Sequence, residues 1–209
     1  MVFLTFLLGL LLCSCISDSD SKVDMNDAFL EFTDIGNPHI PGEMDYDSDN
    51  GVYTLSGSGE NIWFGNDSFS FLSKAVSGDF SFSSSLSFLG ENPTHRKIGL
   101  MIRSGLSSDA LMVCCTIHGD GLTSFQYRNE IGGDVKEHKC KMLFGDYISL
   151  QSRNGKINFT VSNKKGDFES WNSPFLLDEN VRVGMFICSH DNQRVESCRY
   201  SDVNLILLD

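Results

Sequence analysis

Basic residues are scarce in this chain. Sixteen Lys and Arg stand against 28 Asp and Glu in 209 residues, a formal net charge of -12. That balance excludes nucleic acid as a partner, because phosphate contact needs Lys and Arg. It also excludes adhesion to anionic lipid headgroups. Proline is limited to four residues, and no amphipathic 3.6-residue period lasts longer than a turn or two. There is no Cys-x-x-Cys, so neither a zinc ribbon nor a thioredoxin-type site is indicated. No His-Glu-x-x-His occurs, and His39, His95, His118, His138 and His190 are scattered without supporting metal ligands. No Gly-x-Ser-x-Gly elbow occurs either. Glu-x-Asp-x-Glu is absent with or without an extra spacer, so no single strand carries paired carboxylates spaced for glycoside cleavage.

Residues 3–12 are almost unbroken apolar sequence, too short to span a bilayer as a helix. Leu12, Ser14 and Cys15 meet the three demands of a lipoprotein signal peptidase: a branched aliphatic residue, a small residue before the cut and a cysteine after it. Residues 1–14 therefore read as a lipoprotein signal, and Cys15 as the lipidated first residue of the mature chain. The lipid would attach the protein to a membrane. The expected basic start of such a signal is missing, since no Lys or Arg precedes Lys22. Residues 15–24 are acidic, small and serine-rich, which makes them a flexible tether. This tether resembles the acidic export signal of surface lipoproteins. The expected address is the bacterial outer membrane, on the cell surface or the periplasmic face.

Residues 25–209 suit one all-β domain. Sixteen Phe and 19 Gly fit short strands joined by tight turns. Period-two alternation recurs at 79–88, 97–103, 111–118, 123–129, 147–153, 156–163, 181–190 and 201–207. Asn154-Gly155 marks a hairpin turn. Strands at this density must pack as two antiparallel sheets, each burying one face. Cys114, Cys115, Cys140, Cys188 and Cys198 form an odd set. One or two disulfides are open to it, with no pairing legible. Cys114 and Cys115 are adjacent in a strand and must point to opposite faces.

The alternation also assigns faces. Ile98, Leu100, Ile102, Val113, Cys115, Ile117 and Phe125 belong to the core. Arg103, Thr116, His118, Gln126 and Arg128 then share the other side of three consecutive strands. Hydroxyl-rich ligands need amide, guanidinium and imidazole partners together with flat rings. Arg103, His118, Gln126, Arg128, His190 and Trp63 are therefore the candidate ligand-binding residues. The competing reading is an ordinary solvated sheet face, which the pleat generates unaided. Arg103 in particular must find solvent, a carboxylate or a ligand. Asp45-x-Asp47-x-Asp49-Asn50-Gly51 invites a calcium reading, but its glycine falls one residue late for an EF-hand loop and Ser56 replaces the closing Glu. A hairpin turn is the expectation there, and calcium elsewhere is left open. No cofactor is assigned.

Several ordered segments resemble one family. Residues 51–63 (GVYTLSGSGENIW), Gly78-Asp79-Phe80, residues 97–110 (KIGLMIRSGLSSDA), 118–128 (HGDGLTSFQYR) and 183–190 (VGMFICSH) are similar to bacterial concanavalin A-like β-sandwiches described as regulator-of-enolase-like. The likeness runs from about residue 29 to 207. It implies a jelly-roll sandwich with a concave sheet, and a module of the kind appended to polysaccharide enzymes. It also implies that Trp63 stands beside the mouth of the sandwich and that Trp171 belongs to a strand-linking turn. The leading expectation is a non-catalytic envelope lipoprotein that binds glycan. Its rivals are a glycoside hydrolase, or an accessory subunit of a polysaccharide-degrading enzyme, and an envelope protein with a protein partner.

Overall fold

The computed structural model describes residues 22–23, 31–91, 95–178 and 180–208. Cys13, Cys15 and the apolar segment lie outside them. In chain order the strands are β1 (Lys22–Val23), β2 (Glu31–Ile35), β3 (Glu43–Asp47), β4 (Val52–Gly59), β5 (Phe69–Ser77), β6 (Phe80–Leu89), β7 (Lys97–Arg103) and β8 (Met112–His118). They continue with β9 (Leu122–Arg128), β10 (Lys136–Leu143), β11 (Tyr147–Arg153), β12 (Lys156–Ser162), β13 (Phe168–Asn172), β14 (Asn180–Cys188) and β15 (Asp191–Leu207). They form two antiparallel sheets. Sheet A has the order β13-β12-β11-β6-β15-β4-β3, with β1 added beside β15. Sheet B has the order β10-β9-β8-β7-β14-β5-β2.

The core lies between the sheets. Phe80, Phe82, Leu150 and Phe159 of sheet A meet Leu72, Ile98, Leu100, Val113 and Phe125 of sheet B. Each comes from an alternating strand, so its neighbours point the other way. The Asn154-Gly155 hairpin forms as expected. Both residues take positive φ, 50° and 71°, which matches a tight turn between β11 and β12. Tyr200 ties the layers together. From sheet A its hydroxyl reaches the Phe186 carbonyl at 2.6 Å and accepts the Gly99 amide at 3.0 Å, both in sheet B. Gly99 tolerates no side chain, since a Cβ there would strike the Cys115 carbonyl oxygen and the Phe186 ring.

Trp171 lies within edge strand β13, where a strand-linking turn was expected. It stacks on Phe125 across the open side of the sandwich, with centroids 5.5 Å apart and planes 6° from parallel. His138 on β10 adds to the same stack. Strands β1, β2, β3, β5, β10 and β13 were not legible as strands, and β1 falls within residues 15–24 that read as tether. Cys114, Cys115, Cys140, Cys188 and Cys198 are all free and buried. Burial pushes the Cys114 and Cys188 thiols up to about 11 and Cys140 up to about 12, so these stay protonated and unreactive at neutral pH. Cys114 and Cys115 do face opposite ways: Cys115 joins the main core and Cys114 a second cluster outside sheet B.

Leu100→Ala should lower the unfolding free energy by about 2–5 kcal/mol, because a fully buried leucine leaves a cavity the strands cannot close. Urea denaturation monitored by fluorescence measures it. A loss under about 0.5 kcal/mol would put Leu100 outside the core.

Candidate functional site

Cross-strand partners share a sheet face, so the register lays the outer face of sheet B out in rows. One row is Arg103–Met112–Arg128. Its arginines are two strands apart, roughly 9–10 Å, too far to share anything except a bridging group. Asp67, from the β4–β5 loop, is that group. Its carboxylate lies 2.6 Å from Arg103 Nη1 and 2.6 Å from Arg128 Nη2. The remaining guanidinium protons go to backbone carbonyls. Arg103 donates to Gly105 and Ser107, and Arg128 to Phe64, Ala110 and Gly133. Both arginines are fully buried, at 0 % exposure.

A structural ion pair is the expected fate of Arg103 and it forms, while the ligand-binding reading of both arginines is corrected. Arg103 and Arg128 are neither solvated nor free for a ligand. They fasten three loops over the face that their alternation identified. Beneath those loops sits a second apolar cluster of Phe69, Phe71, Met101, Met112, Cys114 and Phe186, capped by Ile62 and Val135. Sheet B is therefore buried on both faces along β5, β14, β7 and β8.

The polar end of the same face collects around Lys97, a residue sequence reasoning passed over. Its signal was present: Lys97 alternates with Gly99, Met101 and Arg103 onto one side. The buried Lys97 ammonium donates to Asn61 Oδ1 at 2.9 Å and to the Ile62 carbonyl at 3.1 Å. It lies 5.3 Å from the centre of the Trp63 ring. Trp63 is half-buried and spends that face on Lys97. Burial lowers the pKa of Lys97 from its ordinary value. No carboxylate touches it among the described residues.

His118 is the cross-strand neighbour of Lys97. Its Nε2 lies 3.4 Å from Gln126 Nε2, which also donates to Ser124 Oγ and Glu137 Oε1. Nδ1 of His118 and Oε1 of Gln126 are buried without a protein partner. Burial first, and Lys97 second, push His118 down to about 4, so the ring is neutral at pH 7.

His190 stands apart from this pair. It is exposed, takes a positive φ of 60°, and pairs its ring with His95 at 5.4 Å. It helps to line an open cleft of about 480 Å³ with Glu60, Asn61, Phe64, Asn66 and Ser68. The Phe64 ring is 65 % exposed although its carbonyl is fixed by Arg128 at 2.5 Å. Asn61 and Asn66 use their side-chain oxygens internally. Among the described residues their amide NH2 groups have no partner. Of the six sequence candidates, only His190 lines this cleft. Phe64, Asn61 and Asn66 were missed because a β4–β5 loop folded back over the sheet has no local signature.

The Asp45 to Gly51 segment is a self-satisfied hairpin turn, as expected. Asp47 accepts the amides of Asp49 and Asn50 and the Asn50 side chain. The Asn50 side chain and then its amide hold the Asp47 carboxyl below its ordinary value. Among the described residues no three His, Cys, Asp or Glu side chains converge on a metal position.

No protein-family model matches the chain, and no curated protein sequence matches it. Solved structures do. A functionally unknown protein from Saccharomyces cerevisiae superposes with a TM-score of 0.65 at 15 % identity, covering 86 % of this chain and 97 % of that one. Lectin II from Ulex europaeus gives 0.56 at 10 % identity, over 88 % and 95 % of the two chains. The carbohydrate-binding module CBM66 from Bacillus subtilis gives 0.56 at 12 % identity, over 86 % and 97 %. The fold is that of concanavalin A-like lectin sandwiches.

Two outcomes follow from the buried charges. Asp67→Ala leaves two guanidinium groups buried and unpaired, and should cost about 3–5 kcal/mol in denaturant unfolding. A cost below about 1 kcal/mol would mean that water replaces the carboxylate. His118 titrates at about 4 when folded against 6.5 for the free side chain. The unfolded chain therefore binds the extra proton between those values, and stability falls as pH drops from about 6.5 to 4, by up to about 3 kcal/mol. His118→Gln should remove that part of the slope. An unchanged pH profile in the variant would show that His118 is charged in the fold.

Proposed function

We propose that this chain is a non-catalytic glycan-recognition module, and that it reads sugar in the cleft formed by the β4–β5 loop. One observation carries the reading. An exposed aromatic ring, Phe64, is held rigidly beside two unengaged amide NH2 groups, a carboxylate and an imidazole, around an open volume of about 480 Å³. Sugar C–H faces stack on flat rings, and sugar hydroxyls need donors and acceptors in reach. A loop pinned by buried ion pairs loses little entropy on binding. The likeness of the fold to a plant lectin and a bacterial carbohydrate-binding module supports the class of ligand.

The same reading takes the chain to be a lipoprotein anchored through Cys15. The placement of β1 supports a useful geometry. Lys22 and Val23 pair with Ile206 and Leu205 near the end of β15, whereas Asp191, at its start, pairs with Gly59 beside the cleft. Lys22 and Val23 therefore lie toward the pole opposite the cleft. An anchored molecule turns its loops outward. The module is of the kind joined to polysaccharide-degrading enzymes, working at a bacterial envelope.

Glycan-array screening of residues 22–209, followed by calorimetric titration, tests the site. Phe64→Ala should weaken binding by about 0.5–1.5 kcal/mol through lost stacking. Asn66→Ala should weaken it by a similar amount through a lost hydrogen bond. Both should melt within a few degrees of wild type, since neither side chain is in the core. Affinity unchanged in the double variant sinks the cleft as the site. Cell fractionation tests the anchor: Cys15→Ala should move the protein from membrane to soluble fractions, and unchanged membrane retention would overturn it.

A further inference from the structure

The outward face of sheet A carries a second pattern. Register again gives rows. Ser170, Thr160, Ser149, Ser83 and Asn204 lie side by side across five strands. The next row is Asn172, Asn158, Gln151 and Ser81. The row on the other side is Phe168, Ser162, Tyr147, Ser85 and Ser201. On β13, β12, β11 and β6 the only charged outward side chains are Arg153 and Lys156, which are cross-strand partners at the hairpin tip. A solvated sheet face normally carries long charged side chains. In a chain of net charge -12, their absence from the rest of these four strands is local, since beside β6 the same face carries Arg199 and Asp202 on β15.

Two aromatic rings stand on it. Phe168 is 70 % exposed and Tyr147 is 37 % exposed. Both pair with Ser162, one from each side, so they sit two strands apart in one row, roughly 9–10 Å. Short hydroxyl and amide side chains fill the space between and beside them. Such a surface offers donors and acceptors with little rotamer entropy to lose. Its two rings are spaced along the direction that crosses the strands. Between the Arg153 and Lys156 pair at the hairpin tip and the Asp202 carboxylate that holds Ser85, the four strands offer an ionic partner no counter-charge.

We propose that the outward face of sheet A is a second binding surface, which takes an extended, uncharged polysaccharide chain running across the strands. Phe168 and Tyr147 serve as stacking platforms, and the Ser, Thr and Asn rows bind the chain hydroxyls. This rests on the reading of the protein as a glycan-recognition module but uses a different surface from the β4–β5 cleft. The cleft would engage a chain locally, and the face would hold a longer stretch of it.

The test is affinity electrophoresis of residues 22–209 through gels containing a neutral polysaccharide, with galactomannan, xylan and mixed-linkage β-glucan as probes and alginate as the charged control. Wild type should be retarded by at least one neutral polymer and not by alginate. The Phe168→Ala/Tyr147→Ala double variant should lose at least fivefold in affinity for that polymer. Ser83→Lys, which raises a long charge from the middle of the face, should do the same. Melting temperatures check that each variant folds. Ser170→Lys, on exposed edge strand β13, serves should Ser83→Lys prove unstable. Phe64→Ala separates the two claims. Loss with Phe64→Ala alone, and none with the face variants, overturns the second surface and leaves the cleft standing. Loss with the face variants alone supports the face and moves the site away from the cleft. No retardation of wild type by any neutral polymer overturns both. Sedimentation closes the other route: a wild-type dimer that Ser83→Lys converts to monomer would show that a second copy covers this face, which also overturns the proposal.

Discussion

A single carboxylate organises the outer side of sheet B. Asp67 neutralises two arginines that the β-sheet spacing keeps apart, and each arginine spends its other protons on loop carbonyls. An ion cluster buried this deeply carries a large desolvation cost, and its net stabilisation against an apolar substitute is small. Its return is geometric. Three loops, already joined to one another by backbone hydrogen bonds such as Asp67 to Ser108 and Val135 to Trp63, are fastened over the sheet. The second apolar cluster, the orientation of Phe64, and the contacts of Asn61 and Ile62 with Lys97 all follow from that placement.

The sheets differ in what their second faces meet. Sheet B has loops over much of it, so β7 and β8 are buried on both sides along their whole length. Sheet A leaves its outward face open among the described residues and paves it with short polar side chains. Alternation therefore stays clean in β6, β11 and β12, where it was legible, and is blurred in β5, where Phe69, Phe71 and the serines between them are all buried. Strand β3 escaped notice for a different reason: three of its five residues are acidic, as an exposed edge allows. The lysines of β10 hide it in the same way.

For the site, the sequence disclosed rows and concealed their cover. Period two places Arg103, His118, Gln126 and Arg128 on one face, and the structure keeps them there. Whether such a row meets water, a ligand or another part of the chain depends on a loop that is distant in sequence. Asp67 is 36 residues from Arg103 and 61 from Arg128. Nothing in Phe64-Gly65-Asn66-Asp67-Ser68 announces that its carboxylate will be buried. The general rule that a buried guanidinium needs a carboxylate was available, and it identified the right kind of partner without identifying which one. Trp63 does not line the cleft, and its ring is committed to Lys97.

The covering of sheet B also constrains where this sandwich can recognise anything. A ligand cannot displace the β4–β5 loop without exposing two arginines and an apolar cluster, which would cost far more than a few sugar hydrogen bonds return. On the proposed reading, recognition is left to the exposed surface of the covering loop and to the uncovered sheet. These two places share a physical character. Both hold exposed aromatic rings on rigid backbone, and both are lined by short polar side chains. They lie on opposite layers of the sandwich, and a polymer long enough to touch both would be held more tightly than either surface could manage alone.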